Sequence, residues 1–108
     1  LTEPTAIGLR PIYLAKMDTV RPVLLLTRPE VIPYLNSVTV ASITTRIRGL
    51  KVEVGIGRHN GLDQDYVINC DNITTIERDQ LLRPIGALLP AQEPALAQAI
   101  GSAFSLAV

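Results

Sequence analysis

The chain has 108 residues, room for one domain around one core. Ten Lys plus Arg balance ten Asp plus Glu, which argues against a generic nucleic-acid-coating protein, and 47% hydrophobic against 19% charged residues excludes a disordered chain. A lone cysteine, Cys70, excludes an internal disulfide, no Cys or His cluster has zinc spacing, and the longest aliphatic run, Val23 to Leu26, falls far short of the ~20 residues of a membrane helix.

Residues 1–9 lack a basic start and do not read as a secretory signal. Residues 1–8 are expected to be a poorly ordered N-terminal extension, and 9–108 a single domain in a reduced, cytoplasmic setting. Pro11 to Ala15 reads as a first strand and Lys16 to Val20 as a short polar connection. Pro22 to Thr27 reads as a buried strand, with Pro22 at its start because it has no N–H to donate. Pro22 also holds Arg21 extended. Residues 30–36 form a loop or one helical turn, cut short by Pro33.

Ser37 to Thr44 is rich in β-branched residues and alternates, so it predicts a strand. Thr45 to Gly49 is a basic bend. Leu50, Val52, Val54 and Ile56 alternate with Lys51 and Glu53, the pattern of a half-buried antiparallel strand over Leu50 to Ile56. Gly57 to Asp65 is a turn-rich loop containing Asn60-Gly61. Two short strands follow, Tyr66 to Cys70 and Ile73 to Ile76, then a helical turn at Glu77 to Leu81. Leu82 to Leu89 is a strand in which Pro84 marks an edge or a bulge. Leu96, Ile100 and Phe104, with Ala99, Ala103 and Ala107 beside them, mark a C-terminal helix. Gln92, Glu93 and Pro94 suit its first turn. The sum is mainly β with a C-terminal α-helix, a small antiparallel sheet or barrel.

Two further figures bear on function. Mean hydropathy is +0.28, high for so small a monomer, and points to a buried interface in a two-fold homodimer. Residues 1–60 carry eight Lys or Arg against four acids, whereas 61–108 carry two against six, so a locally basic surface is available.

The segment Val20-Arg21-Pro22-Val23-Leu24-Leu25-Leu26-Thr27 resembles the Arg-Pro signature that opens an aliphatic strand in the MazF/PemK toxin endoribonucleases. Val38 to Thr45, Lys51 to Val54, Val67 to Ile76 and Leu82 to Gly86 resemble later blocks of that family in the same order, and the helix Ala95 to Ile100 resembles its last. The match spans about residues 9–106. The resemblance implies an SH3-like (MazF/CcdB-like) barrel, a homodimer, metal-free cleavage of single-stranded RNA with no cofactor, and silencing by a cognate antitoxin. The loop before Arg-Pro is shorter here, only Lys16 to Val20, and Tyr13 stands for the usual Trp.

The resemblance assigns catalysis to Arg21 and Thr44. Metal-free cleavage uses the ribose 2′-OH as an internal nucleophile, and a guanidinium presents a fork of donors to the phosphorane that forms. The family account also gives Arg21 an acid/base part. Thr44 offers a neutral hydroxyl donor, with Thr45 an adjacent candidate. Asp71 and Asn72 match an acidic-plus-amide pair near the RNA; a plain turn is the alternative reading. Arg46 and Arg48, with Lys51, could steer phosphates or an acidic antitoxin, or form a solvated face. His59 sits beside Asn60-Gly61 in a surface turn, and Cys70 reads as a buried strand residue. The alternative function is a non-enzymatic toxin of the same barrel that poisons a protein target such as gyrase. A plain SH3-like peptide binder would need more aromatic residues than this chain has.

Overall fold

The computed structural model describes residues 9–106. Residues 1–8, expected as an extension, and Ala107 of the predicted helical stripe lie outside the described residues. The strands are β1 (Arg10–Lys16), β2 (Val20–Leu25), β3 (Ser37–Thr44), β4 (Glu53–Ile56), β5 (Tyr66–Glu77) and β6 (Leu81–Leu88), followed by helix α1 (Glu93–Ala103). They form one antiparallel sheet in the order β4-β5-β3-β2-β1-β6. The expected architecture, mainly β with a closing helix in an SH3-like arrangement, is the one observed.

Alternation along the strands gives the curled sheet two buried faces. One carries Ile12, Leu24, Ala41, Ile43, Val54, Ile68 and Cys70, covered by Leu96 and Ala99 of α1. The other carries Ala15, Val23, Leu25, Val38, Val40 and Ile76. A bidentate pair ties the helix start to the sheet: Arg10 Nε and Nη2 donate to the Glu93 carboxylate at 3.0 Å each, and Nη1 reaches the Leu26 carbonyl at 3.2 Å.

The two outer strands, β4 and β6, are joined by side chains rather than by a ladder. After β4 the chain turns through residues 58–60, and Asn60 is buried there. Its Nδ2 donates to the Ala87 carbonyl at 3.0 Å and to Gln92 Oε1 at 2.6 Å, while its Oδ1 accepts the Gly57 N–H at 3.1 Å. Asn60 thus draws the segment beyond one sheet edge onto the opposite edge strand. Gly61 follows at φ +91°, a conformation that disfavours any side chain. The sequence reading placed Asn60-Gly61 in a surface turn; Asn60 is instead the buried polar clasp.

Three other differences have physical causes. The strand predicted from Leu50 begins only at Glu53, because Glu53 Oε1 accepts the N–H groups of Arg48, Gly49 and Leu50 at 3.1, 2.9 and 3.3 Å and holds them in a turn. Gly49, at φ +72°, permits it. The two strands predicted over 66–76 are one, β5, whose pairing with β3 jumps: Ala41 faces Ile73, but Ser42 faces Asn69. Cys70, Asp71 and Asn72 form the excess, a bulge that bends the long strand. Finally, α1 stops before Phe104. Leu106 N–H bonds to Gly101 O at 2.7 Å and Ser105 N–H to Ser102 O at 3.3 Å, with Ser105 at φ +55°, the six-to-one and five-to-two closure of a helix end. Phe104 is therefore left 58% exposed rather than in the core. Pro84 does lie on an edge strand, next to a register shift.

Candidate active site

Arg21 lies near the start of β2 and Thr44 at the end of β3. Val23 faces Ser42 and Leu24 faces Ala41 across these strands, and the same register carried two places further sets Arg21 across from Thr44. Equal parity puts both on the sheet face of Val23 and Val40. Ser42 faces Asn69 of β5, and Asn69 faces Glu53 of β4, which extends that face into a polar row. A cleft of about 430 Å³ opens over it, lined by Asp18, Arg21, Ser42, Thr44, Arg46, Arg48, Glu53, Asn69 and Asn72 among others.

Five of the seven residues singled out from sequence thus meet in one cleft: Arg21, Thr44, Arg46, Arg48 and Asn72. Thr45 and Asp71 do not line it. Thr45 has the opposite parity to Thr44 and is exposed. Asp71 is exposed in the bulge, its N–H bonded to Asn69 Oδ1 at 3.0 Å.

Sequence reasoning missed Asp18, Glu53 and Asn69 as cleft residues. Asp18 grips Arg21: Nε donates to Oδ1 at 2.8 Å and Nη2 to Oδ2 at 3.1 Å. The available signal was an acid three residues before Arg21 in a tight hairpin. The Arg21 guanidinium, then the Thr19 N–H, hold the Asp18 carboxyl down to about 2. Reciprocally, Asp18 raises the affinity of Arg21 for its proton. Because the folded value is depressed, the ion pair is intact above the ordinary carboxylate range and is lost as pH falls through about 2. A carboxyl titration by NMR should therefore place Asp18 near that value, and Arg21→Ala should move it up toward ~3.9. An unshifted Asp18 in the unsubstituted protein would show that the pair does not form in solution.

Each reactive group is held from one side and open on the other. Asp18 occupies the Nε edge of Arg21 and leaves Nη1 and one Nη2 hydrogen free to meet an anion. Thr44 Oγ1 accepts the Arg46 N–H at 3.1 Å, which leaves its own hydrogen to donate. Three guanidinium groups stand against the carboxylates of Asp18 and Glu53 in this cleft. His59 lies elsewhere, in a separate depression. Cys70 is buried, and that burial, then the Asp71 charge, pushes its thiol up to about 11, the wrong direction for a nucleophile. Among the described residues, no group of three or more His, Cys, Asp or Glu could hold a metal ion.

A small curled β-sheet with a covering helix and a basic cleft built on Arg-Pro defines a class. Residues 7–104 match the family model of the PemK-like, MazF-like toxins of type II toxin–antitoxin systems, and the chain belongs to that family. It is 56% identical over 98 residues to endoribonuclease MazF3 of Mycobacterium tuberculosis, spanning 91% of this chain and 95% of the relative. The solved structure of the Mycobacterium tuberculosis toxin MazF-mt6 superposes with a TM-score of 0.89 at 56% identity, covering 92% of this chain and 100% of that one. A mycobacterial endoribonuclease solved in complex with its cognate antitoxin is 26% identical, with a TM-score of 0.81 over 94% of this chain and 98% of its own.

Proposed function

We propose that the cleft is the catalytic centre of a metal-independent, sequence-selective endoribonuclease that cuts single-stranded RNA. The chain is an endoribonuclease toxin, as its relatives are named. The observation that carries the finer reading is the meeting of Arg21 and Thr44 in one basic cleft.

In this reading the ribose 2′-oxygen attacks the adjacent phosphorus while its proton departs. The bond from phosphorus to the 5′-oxygen breaks, that oxygen takes a proton, and the products are a 2′,3′-cyclic phosphate and a 5′-hydroxyl. The open edge of Arg21 and the Thr44 hydroxyl donate to the phosphorane oxygens as their charge grows. Donors fixed before the charge develops supply most of such stabilisation. Asp18 tightens Arg21's hold on its proton, so Arg21 acts as a fixed charge. Proton movement then falls to Glu53 or to water, because both Asp18 oxygens are engaged by Arg21 and its carboxyl is held well below the usual range. Arg46 and Arg48 hold flanking phosphates, and Asn72 offers an amide to a base edge.

The setting is cytoplasmic, where RNA cutting arrests translation and growth until a cognate antitoxin covers the toxin. The high mean hydropathy of so small a chain supports a homodimer. Among the described residues no helix is long and apolar enough to cross a membrane.

Incubated with messenger, ribosomal and transfer RNA in excess EDTA, the protein should yield fragments with 5′-hydroxyl ends. Intact RNA across all three, with capture of a protein target instead, would overturn the reading in favour of a non-enzymatic poison such as one acting on gyrase.

A further inference from the structure

Gln80 joins the start of β6 to the hairpin that carries Asp18 and Arg21. Arg21 of β2 faces Ala15 of β1, and Ala15 faces Leu81 of β6, the last pair of that ladder. The next carbonyl along β1, that of Lys16, lies beyond the ladder, and the Gln80 side chain takes it: Nε2 donates to Lys16 O at 2.8 Å. Gln80 Oε1 accepts the Glu77 N–H at 2.8 Å, so the side-chain amide is held at both ends.

The base of this contact is itself fixed. The Arg78 N–H bonds to Asn36 O at 2.8 Å, and Arg78 Nη1 donates to Ile32 O and Pro33 O at 3.2 Å each. The short turn Arg78–Gln80 is thereby tied to the segment between β2 and β3. Past Lys16 the connection is only Met17 to Thr19, closed by the Met17 N–H on Thr19 O at 2.8 Å. Met17 and Leu81 pack against the same buried cluster. Asp18 is exposed, and in so short a connection its carboxylate follows the backbone at Lys16. Both bonds from Arg21 to Asp18 take their direction from the point that Gln80 holds.

We propose that Gln80 is a positioning residue for RNA cleavage: by clamping the Lys16 carbonyl it fixes the hairpin and, through Asp18, aims the Arg21 guanidinium into the cleft. Gln80 does not line the cleft, so it acts only through its neighbours. The inference rests on the RNA-cleaving reading above. A donor aligned before the charge develops is worth more than one that must be recruited, so a loosened hairpin costs rate rather than affinity.

The test uses two variants. Gln80→Met keeps the side-chain length and loses both bonds, whereas Gln80→Glu can still accept the Glu77 N–H but has no donor for Lys16. Both should slow single-turnover RNA cleavage in EDTA by about three- to tenfold, the scale of one neutral hydrogen bond, with KM little changed. In the Arg21→Ala protein neither should slow the residual cleavage further, because a residue that acts through Arg21 has nothing left to aim. The Asp18 carboxyl, held down to about 2 in the unsubstituted protein, should titrate higher in Gln80→Met. Folded variants that cut at the original rate would overturn the proposal. Equal slowing with and without Arg21 would also overturn it, since a merely structural role gives that result. Normal cutting by Gln80→Glu beside a slow Gln80→Met would assign the effect to the Glu77 bond and reject the clamp on Lys16. Should Gln80→Met not fold, Gln80→Glu decides alone. An unsubstituted protein that cuts no RNA would overturn the cleavage reading and the role in it, while the Asp18 titration would still report whether Gln80 holds the hairpin.

Discussion

Arg21→Ala should lower RNA cleavage by on the order of 10²–10³-fold, the usual loss when one donor to a developing oxyanion is removed. The melting temperature should barely move, because Arg21 is exposed and its ion pair with Asp18 is an exposed pair. The loss should appear in kcat more than in KM, since the phosphorane carries more charge than the ground-state phosphate. Arg21→Lys should not restore the rate. An ammonium keeps the charge but cannot engage Asp18 by two parallel bonds and still present a planar open edge to the phosphate. Thr44→Val should cost less, because a neutral hydroxyl stabilises a developing anion less than a guanidinium does. The measurement is single-turnover cleavage in EDTA, with melting curves as controls. A folded Arg21→Ala protein that cuts at the original rate would remove Arg21 from the chemistry and leave the cleft without its central cation.

Most of the strand pattern was legible because alternation and β-branching report burial directly. Ser37 to Thr44 was predicted with the bounds it has, and its face-to-face order with β2 is what brings Thr44 opposite Arg21. The misread places share a cause: a polar side chain bonded to backbone overrides the local pattern. Leu50 belongs to an alternating run, yet the Glu53 carboxylate gathers three amides and postpones the strand. Asn60-Gly61 has turn composition, and nothing local reveals that the Asn side chain crosses to Ala87 and Gln92, 27 and 32 residues away. Asp71 and Asn72 were a pair in sequence, but a bulge turns them apart, and only Asn72 reaches the cleft. Arg21 and Thr44 are legible through the family's ordered blocks, whereas Asp18, the residue that orients Arg21, is marked only by its place three residues before Arg21 in a short connection.

The clasp at Asn60 sets up the second large effect. Gly86 lies on β6 where the turn after β4 presses against it, and a Cβ there would run into the Asn60 carbonyl oxygen. The obstruction is backbone against backbone, so no side chain can rotate away. Gly86→Ala should therefore destabilise the fold by about 3 kcal/mol, within the range for overpacking a closed contact. In a domain of this size that lowers the melting temperature by roughly 10–20 °C. Gly55→Ala is the contrasting substitution, since a Cβ there enters open space and should be neutral or slightly stabilising. Asn60→Ala removes three bonds of the buried Asn60 side chain, to Ala87, Gln92 and Gly57, in the same clasp and should cost about 1–3 kcal/mol. If one clasp closes the two sheet edges, the double variant should lose less than the two single losses combined, because whichever change opens the clasp first removes what the second would break. Strictly additive losses would instead mean that the edges are held by independent contacts, and a Gly86→Ala protein melting with the original would show that β6 can move outward at little cost.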